Sequence, residues 1–96
     1  MDIHEMRELV MGERFHLTDH AQNELKREGF RLEDVASTIL SGTVIDEDSK
    51  SEVGTEWLVE GMNWMKETIR TKVTVDNAGD LIVITVYPRR QRRRTG

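Results

Sequence analysis

Apolar residues recur at helical spacing through the first 42 positions of the chain, and this pattern predicts three helices. The first is predicted over residues 3–11, with Gly12 as its stop. Thr18 is a suitable N-cap for a second helix, which we expect to run to about Glu28 and to end at Gly29. The apolar face of the third helix comprises Leu32, Val35, Ala36, Ile39 and Leu40, followed by a stop at Gly42.

Beyond this point the pattern changes to the two-residue alternation of β-strands. Trp57 and Val59 alternate with Glu56, Leu58 and Glu60 before Gly61. The two strongest strand signals, rich in Val, Ile and Thr, flank a five-residue turn sequence. The predicted strands cover residues 43–46, the segment around 57–59, 67–75 and 81–87; a polar loop is expected over 46–54, and residues 14–17 are expected to form a short edge strand or an extended lead-in to the second helix.

The order of these elements predicts an α+β fold, in which N-terminal helices pack on one face of an antiparallel meander of about four strands. No glycine-rich nucleotide-binding motif is present. Because Pro88 cannot donate a ladder hydrogen bond, we expect the last strand to end near Tyr87. The domain is therefore predicted over residues 1–88, with residues 89–96 as a disordered arginine-rich tail.

The last hairpin can be given a register from its turn. If Ala78 and Gly79 form a two-residue turn, Val75 faces Ile82 and Val73 faces Ile84 on an apolar face. On the opposite face the same register pairs Thr74 with Val83, Lys72 with Thr85, and Arg70 with Tyr87. Two cations, hydroxyl groups and a phenol are therefore expected to share one patch.

Charge is distributed unevenly along the chain. Its formal net charge is −4, but all 18 acidic residues precede residue 81, and five of the 14 basic residues lie at the C-terminus. We expect the acidic body to repel polyanions at long range and the basic tail to attract them. The expected nucleic-acid-binding residues are Arg89, Arg90, Arg92, Arg93 and Arg94; the alternative is that the tail only adds solubility.

Several protein classes are excluded by composition. The chain has no cysteine, so disulfides, thiol catalysis and cysteine zinc sites are ruled out, and a cytoplasmic location is expected. The longest apolar runs are too short to span a bilayer, so no membrane partner is expected.

His20 and Glu24 form an i, i+4 pair at the start of the second predicted helix. Such a pair suits general acid–base catalysis, although a histidine that packs at a helix start is the simpler alternative. A metal site would need His16 as well as His20 and Glu24, but His16 precedes the helix and no cysteine assists. We therefore expect no metal and no other cofactor.

The stretch His20-Ala-Gln-Asn-Glu-Leu-Lys-Arg-Glu-Gly-Phe30 resembles the H-A-x-x-R-M-x-x-R-G-I opening of the bacterial domain of unknown function family 4258. The downstream Leu-Glu-Asp-Val at residues 32–35 is similar to the second helix of that family. Thr85-Val-Tyr87 resembles its closing strand. The family is grouped by fold with the barnase, EndoU, colicin and RelE-like ribonucleases, several of which are toxins of toxin–antitoxin pairs.

This resemblance implies a metal-independent endoribonuclease, or a degenerate relative, that acts on RNA and is held by an antitoxin or another small protein. His20 matches the histidine of the motif, and Thr85 and Tyr87 match the closing hydroxyl pair. Two glutamates, Glu24 and Glu28, stand where the family motif has arginines. The expected catalytic set is His20 as acid or base, Glu24 as its orienter or a second base, Arg70 and Lys72 as cations, and Thr85 and Tyr87 as hydroxyl groups.

A second function is also consistent with the sequence. The acidic body and the two glutamates at motif arginine positions would suit a non-catalytic module of the same fold that recognises a basic protein partner. A third alternative is a structural domain without a site of its own, whose arginine-rich tail tethers it to nucleic acid. The position of His20 relative to Arg70, Lys72 and Tyr87 separates these alternatives.

Overall fold

The computed structural model describes residues 1–49 and 54–89. It confirms the α+β class, with three helices and a mixed sheet in the described part of the chain. The elements are α1 (Ile3–Met11), β1 (Phe15–Leu17), α2 (Asp19–Glu28), α3 (Leu32–Ser41), β2 (Thr43–Asp48), β3 (Glu56–Met62), β4 (Thr68–Val75) and β5 (Leu81–Pro88).

The predicted N-cap of α2 and the predicted stop glycines of all three helices are found in the structure. The Thr18 side chain accepts the Ala21 N–H at the start of α2. Gly29 follows α2 in the left-handed region, with φ at 74°, where a residue without a Cβ avoids strain. Gly12 and Gly42 follow α1 and α3. All three expected helices are therefore present, and each is followed by the predicted glycine.

The sheet has five strands in the order β1-β5-β4-β3-β2, rather than the expected antiparallel meander of about four. Strands β2 to β5 do form an antiparallel meander. The additional strand is β1, which pairs in parallel with the first three residues of β5. β1 has three residues and follows α1 in the chain. It lies at the edge of the sheet next to β5, so it adds a fifth, parallel strand to the meander.

The hydrophobic core lies between the helices and one face of the sheet. Its fully buried members include Met6 from α1, Ala21 from α2, and Val35 and Ile39 from α3. The expected apolar face of α3 is only partly buried, because Leu32 and Leu40 at its two ends are exposed. The sheet contributes the buried residues Trp57, Val59, Ile69, Val73, Leu81, Val83 and Val86.

Helix α3 approaches β3 closely at a pair of glycines. A Cβ atom added to Gly61 or to Gly42 would overlap the Thr38 carbonyl oxygen in the last turns of the helix. Gly61 therefore lies inside β3, where the sequence predicts the strand to stop, because its missing side chain lets the helix pack on the strand.

The predicted register of the last hairpin is correct in one half and wrong in the other. Lys72 pairs with Thr85 and Arg70 with Tyr87, as expected. Nearer the turn, however, Val73 pairs with Val83 rather than Ile84, and the pairs Val75–Ile82 and Thr74–Val83 are not formed.

Two features explain this shift. The Asp76 carboxylate accepts the N–H groups of Ala78 and Asp80, and the turn that it closes is longer than the expected two residues. A bulge opposite Lys72 and Val73 then inserts Ile84 as an extra residue of β5. As a result, Val83 is fully buried, whereas Ile82 and Ile84 lie on the opposite face.

One strand is longer than the sequence predicts, and the last strand ends within one residue of the predicted Tyr87. β2 extends to Asp48, through the first part of the predicted polar loop. β5 ends at Pro88, and the N–H of Arg89 donates to the Thr68 carbonyl at 2.8 Å. Arg89 is thus bound to β4 and does not belong to a free tail; residues 90–96 lie outside the described residues. None of the described helices is long and apolar enough to cross a lipid bilayer.

Candidate functional site

Helix α2 holds His20 and Glu24 beside β5. The Thr18 N–H donates to the Val83 carbonyl, and the Thr18 hydroxyl donates to the Ile84 carbonyl. These two bonds fix the start of α2 to the strand. His20 lies in the first turn of α2 and Glu24 in the second, so the anchored start of the helix places both side chains next to β5.

Glu24 binds the part of β5 that β1 does not cover. β1 pairs only with residues 81–83, which leaves the edge amides farther along β5 without a strand partner on that side. Oε1 of Glu24 accepts the Val86 N–H at 2.9 Å and the Thr85 hydroxyl at 2.5 Å. The carboxylate therefore satisfies an edge amide, which explains its near-complete burial.

His20 extends from this anchored carboxylate into solvent. Its Nε2 atom lies 3.3 Å from Glu24 Oε1, and its side chain is 65% exposed against 10% for Glu24. Arg27 approaches the other oxygen of Glu24, at 3.7 Å. No hydrogen bond from the His20 side chain to the backbone is found among the described residues, so the alternative of a packed, backbone-bonded histidine does not apply.

The four remaining members of the expected set lie together on the sheet face that points away from the helices. Lys72 and Thr85 are cross-strand neighbours, as are Arg70 and Tyr87. Lys72, Thr85 and Tyr87 line a groove of about 190 Å³ with Asp46, Asp48, Glu56, Trp57 and Leu58.

Thr85 connects the two halves of the expected site. Its hydroxyl donates to Glu24 on the α2 side, and the same residue lines the groove that contains Lys72 and Tyr87. The contacts therefore run without a gap from His20 through Glu24 and Thr85 to Lys72. The bulge at Ile84 allows Thr85 to lie in the groove while Val83 and Val86 both remain in the core.

Lys72, which lines the groove, and Arg70, two residues before it on β4, are both paired with acids, an arrangement that was not predicted from the sequence. Arg70 Nε donates to Glu60 Oε2 at 2.8 Å, and Lys72 Nζ lies 3.8 Å from Glu56 Oε1. The hydrogen bond that Arg70 donates to Glu60, aided by Tyr87, raises the pKa of the Arg70 guanidinium above its ordinary value. Arg70 is therefore a permanent cation, but one that already has a carboxylate partner.

The alternation along β3 could have revealed these partners. Trp57, Val59 and Gly61 face the core, so Glu56 and Glu60 must share the outer face with Arg70 and Lys72. The register predicted from the sequence covers only the β4–β5 hairpin and leaves open which residues of β3 lie beside β4. The bond between Glu24 and Thr85 has no comparable sequence signal, because the two residues are 61 positions apart.

The other expected residues are not part of this cluster. His16 lies 3.5 Å from Asp76 and does not join His20 as a metal ligand. Within residues 1–49 and 54–89, no group of three or more histidines or acids is arranged to hold a metal ion. Arg89 lies 3.6 Å from Glu60. Arg90, Arg92, Arg93 and Arg94 lie outside the described residues.

Comparison with known proteins identifies the family but not an activity. No curated protein and no solved structure matches the chain. Residues 17–88 match the family described as Domain of unknown function (DUF4258), over an interval that begins at the end of β1 and includes α2, α3 and the meander. The match contains His20, Glu24, Arg70, Lys72, Thr85 and Tyr87, and the chain therefore belongs to the DUF4258 family.

Proposed function

We propose that this domain cleaves RNA without a metal ion, by transfer of a phosphodiester to the neighbouring ribose 2′-hydroxyl. The observation that carries the proposal is the solvent-exposed His20 imidazole, 3.3 Å from a carboxylate that is itself buried and anchored. A histidine held in this way can exchange protons with a bound substrate, because one side of the ring is oriented and the other is open.

In the proposed step, His20 removes the proton from the 2′-hydroxyl. The 2′-oxygen attacks phosphorus, the bond from phosphorus to the 5′-oxygen breaks, and the leaving oxygen takes a proton from water. The products are a 2′,3′-cyclic phosphate and a 5′-hydroxyl, and His20 returns its proton to solvent. Glu24 acts as a positioning residue, because its hydrogen bonds to β5 hold it in place beside the imidazole.

The groove, together with Arg70 beside Tyr87, supplies the groups that would receive the phosphate. Lys72 and Arg70 can stabilise the additional negative charge of the phosphorane, and the Tyr87 hydroxyl can donate a hydrogen bond. A phosphate that enters the groove competes with Glu56 and Glu60 for these two cations. We therefore expect weak binding of the RNA backbone at the groove itself. Since RNA is the proposed substrate, the proposed compartment is the cytoplasm, and the proposed protein partner is an antitoxin or another small regulator.

The direct test is cleavage of a single-stranded RNA in the presence of a metal chelator. We expect the full chain to produce fragments that end in a 2′,3′-cyclic phosphate, because the attacking nucleophile is the ribose hydroxyl. The matched control substrate carries a single 2′-deoxynucleotide at the cleaved position and should remain intact there. Cleavage of the deoxy substrate at that bond, or cleavage that the chelator abolishes, would contradict the proposal.

A second candidate, recognition of a basic protein segment without catalysis, is favoured by the charge of the same face. Within the described residues, Asp46, Asp48 and Glu56 line the groove with Lys72, and Glu60 pairs with the neighbouring Arg70. For this function Asp46→Asn should weaken the binding of an arginine-rich peptide by about two- to fivefold, the effect of one exposed ion pair. Titration calorimetry measures the effect, and Glu13→Gln, at an exposed site away from the groove, is the control.

A further inference from the structure

The turn between β3 and β4 presents two large apolar side chains to solvent from a backbone that is held by side-chain hydrogen bonds. Trp64 is 77% exposed and Met65 is 63% exposed. The buried Asn63 side chain holds the turn, because its oxygen accepts the N–H groups of Met65 and Glu67, and its amide donates to the Glu67 carboxylate. An exposed tryptophan on an ordered turn is a preorganised binding element.

A pocket of about 290 Å³, which we name the Trp64 pocket, opens beside this turn. It combines the apolar surface of Phe30, Trp64 and Met65 with three carboxylates and one cation. The charged residues that line it are Glu28, Asp34, Glu67 and Arg31.

This combination of groups fits the side chain of arginine. A guanidinium ion is planar and weakly hydrated, so it can stack on an indole face while its N–H groups donate to carboxylates. The Glu67 carboxylate is held in place by Asn63, so it can accept such a bond without loss of its own conformational freedom. An acidic pocket would repel the phosphate groups of a nucleic acid, although a base could still stack on Trp64.

Such arginines follow immediately in the same chain. The last described residue, Arg89, donates its N–H to Thr68, the residue next to Glu67 in the pocket wall. Residues 90–96, which lie outside the described part, have the sequence Arg-Gln-Arg-Arg-Arg-Thr-Gly. Seven residues reach up to about 24 Å, and a segment attached this close has an effective concentration of about millimolar.

We propose that the Trp64 pocket binds arginine side chains of residues 90–96 of the same chain. The inference does not depend on the proposed ribonuclease activity. It gives the arginine-rich segment two competing partners, because guanidinium N–H groups that donate to the carboxylates of the pocket cannot donate to a phosphate at the same time. A polyanion must then displace the segment from the pocket before it can gain the full electrostatic attraction of the tail.

Acrylamide quenching of tryptophan fluorescence tests the proposal on the full-length protein. The chain has two tryptophans, and Trp57 is buried, so the quenchable emission comes mainly from Trp64. We expect replacement of Arg90, Arg92, Arg93 and Arg94 by serine to increase the quenching constant about twofold, because a stacked guanidinium covers one of the two indole faces. Addition of 1 M NaCl should produce the same increase in the unmodified chain and none in the serine variant.

Two single substitutions provide the matched controls. Glu67→Gln keeps the acceptor for Asn63 but removes the negative charge, and should expose Trp64 as the serine variant does. Glu8→Gln removes an exposed charge on α1, outside the pocket, and should change nothing. Equal quenching of the serine variant and the unmodified chain at low salt would overturn the proposal. So would a shielding of Trp64 that disappears on dilution, because the occupant would then be a second molecule.

Discussion

We expect His20→Ala to lower the rate of RNA cleavage by about 10²–10⁴-fold, the usual contribution of a general acid or base. The loss should appear in kcat and leave KM nearly unchanged, because the imidazole moves a proton and does not hold the phosphate. Since His20 is exposed, added imidazole should diffuse to the vacated position and restore part of the rate. Single-turnover cleavage of a labelled RNA, with and without imidazole, measures both effects.

Stability and a matched histidine separate this catalytic role from a structural one. His20→Ala leaves the bonds from Glu24 to Thr85 and Val86 in place and removes one exposed ion pair, so it should change the free energy of unfolding by about 1 kcal/mol or less. His16→Ala is the control, because His16 is also exposed and also lies near a carboxylate, Asp76. An unchanged cleavage rate in folded His20→Ala protein would remove this histidine from the mechanism.

Glu24 should affect the reaction through His20 only. Glu24→Gln retains an oxygen that can accept the Thr85 hydroxyl and the Val86 N–H, but it removes the carboxylate charge beside the imidazole. The arginine that the family motif has at this position could not accept either bond. At this position the edge of β5 presents two donors, the Thr85 hydroxyl and the Val86 N–H, and a side chain with an acceptor oxygen satisfies both.

The helical half of the fold could be predicted from the sequence because its signals are local. A capping threonine, stop glycines and apolar residues three or four positions apart lie within one helix length of each other. The same holds for the His20–Glu24 pair, which needs only the geometry of one helix. The sheet depends on contacts between distant residues. Of the cross-strand pairs predicted for the outer face, Lys72–Thr85 and Arg70–Tyr87 are formed, whereas Thr74–Val83, the pair nearest the turn, is not.

The tip of the last hairpin could not be predicted because its strand is apolar on both faces. Leu81, Ile82, Val83 and Ile84 are interchangeable in a hydrophobic pattern, so burial does not select between the two registers. The choice is made by the Asp76 side chain, which closes the longer turn, and by the bulge that restores the register at Thr85. Both features depend on hydrogen bonds, and the alternation of apolar and polar residues along the strand does not predict them.

Two adjacent substitutions test this register, and we expect opposite results from them. Val83→Asp should unfold the domain, because Val83 is fully buried opposite Val73 and an unpaired carboxylate there costs several kcal/mol. A domain of this size has a total stability of about 5–10 kcal/mol. Ile84→Asp changes the next residue to the same side chain but places it on the outer face, where it should cost no more than about 2 kcal/mol of lost apolar contact.

Chemical denaturation measures the free energy of unfolding of the two variants. If Ile84→Asp unfolded the chain and Val83→Asp did not, the bulge would be absent and the two-residue turn would be correct. The pair between Thr85 and Lys72 is the same in both registers, so it does not distinguish them. The expected order of stabilities would instead show that the bulge at Ile84 is present and that Val83, rather than Ile84, faces the core.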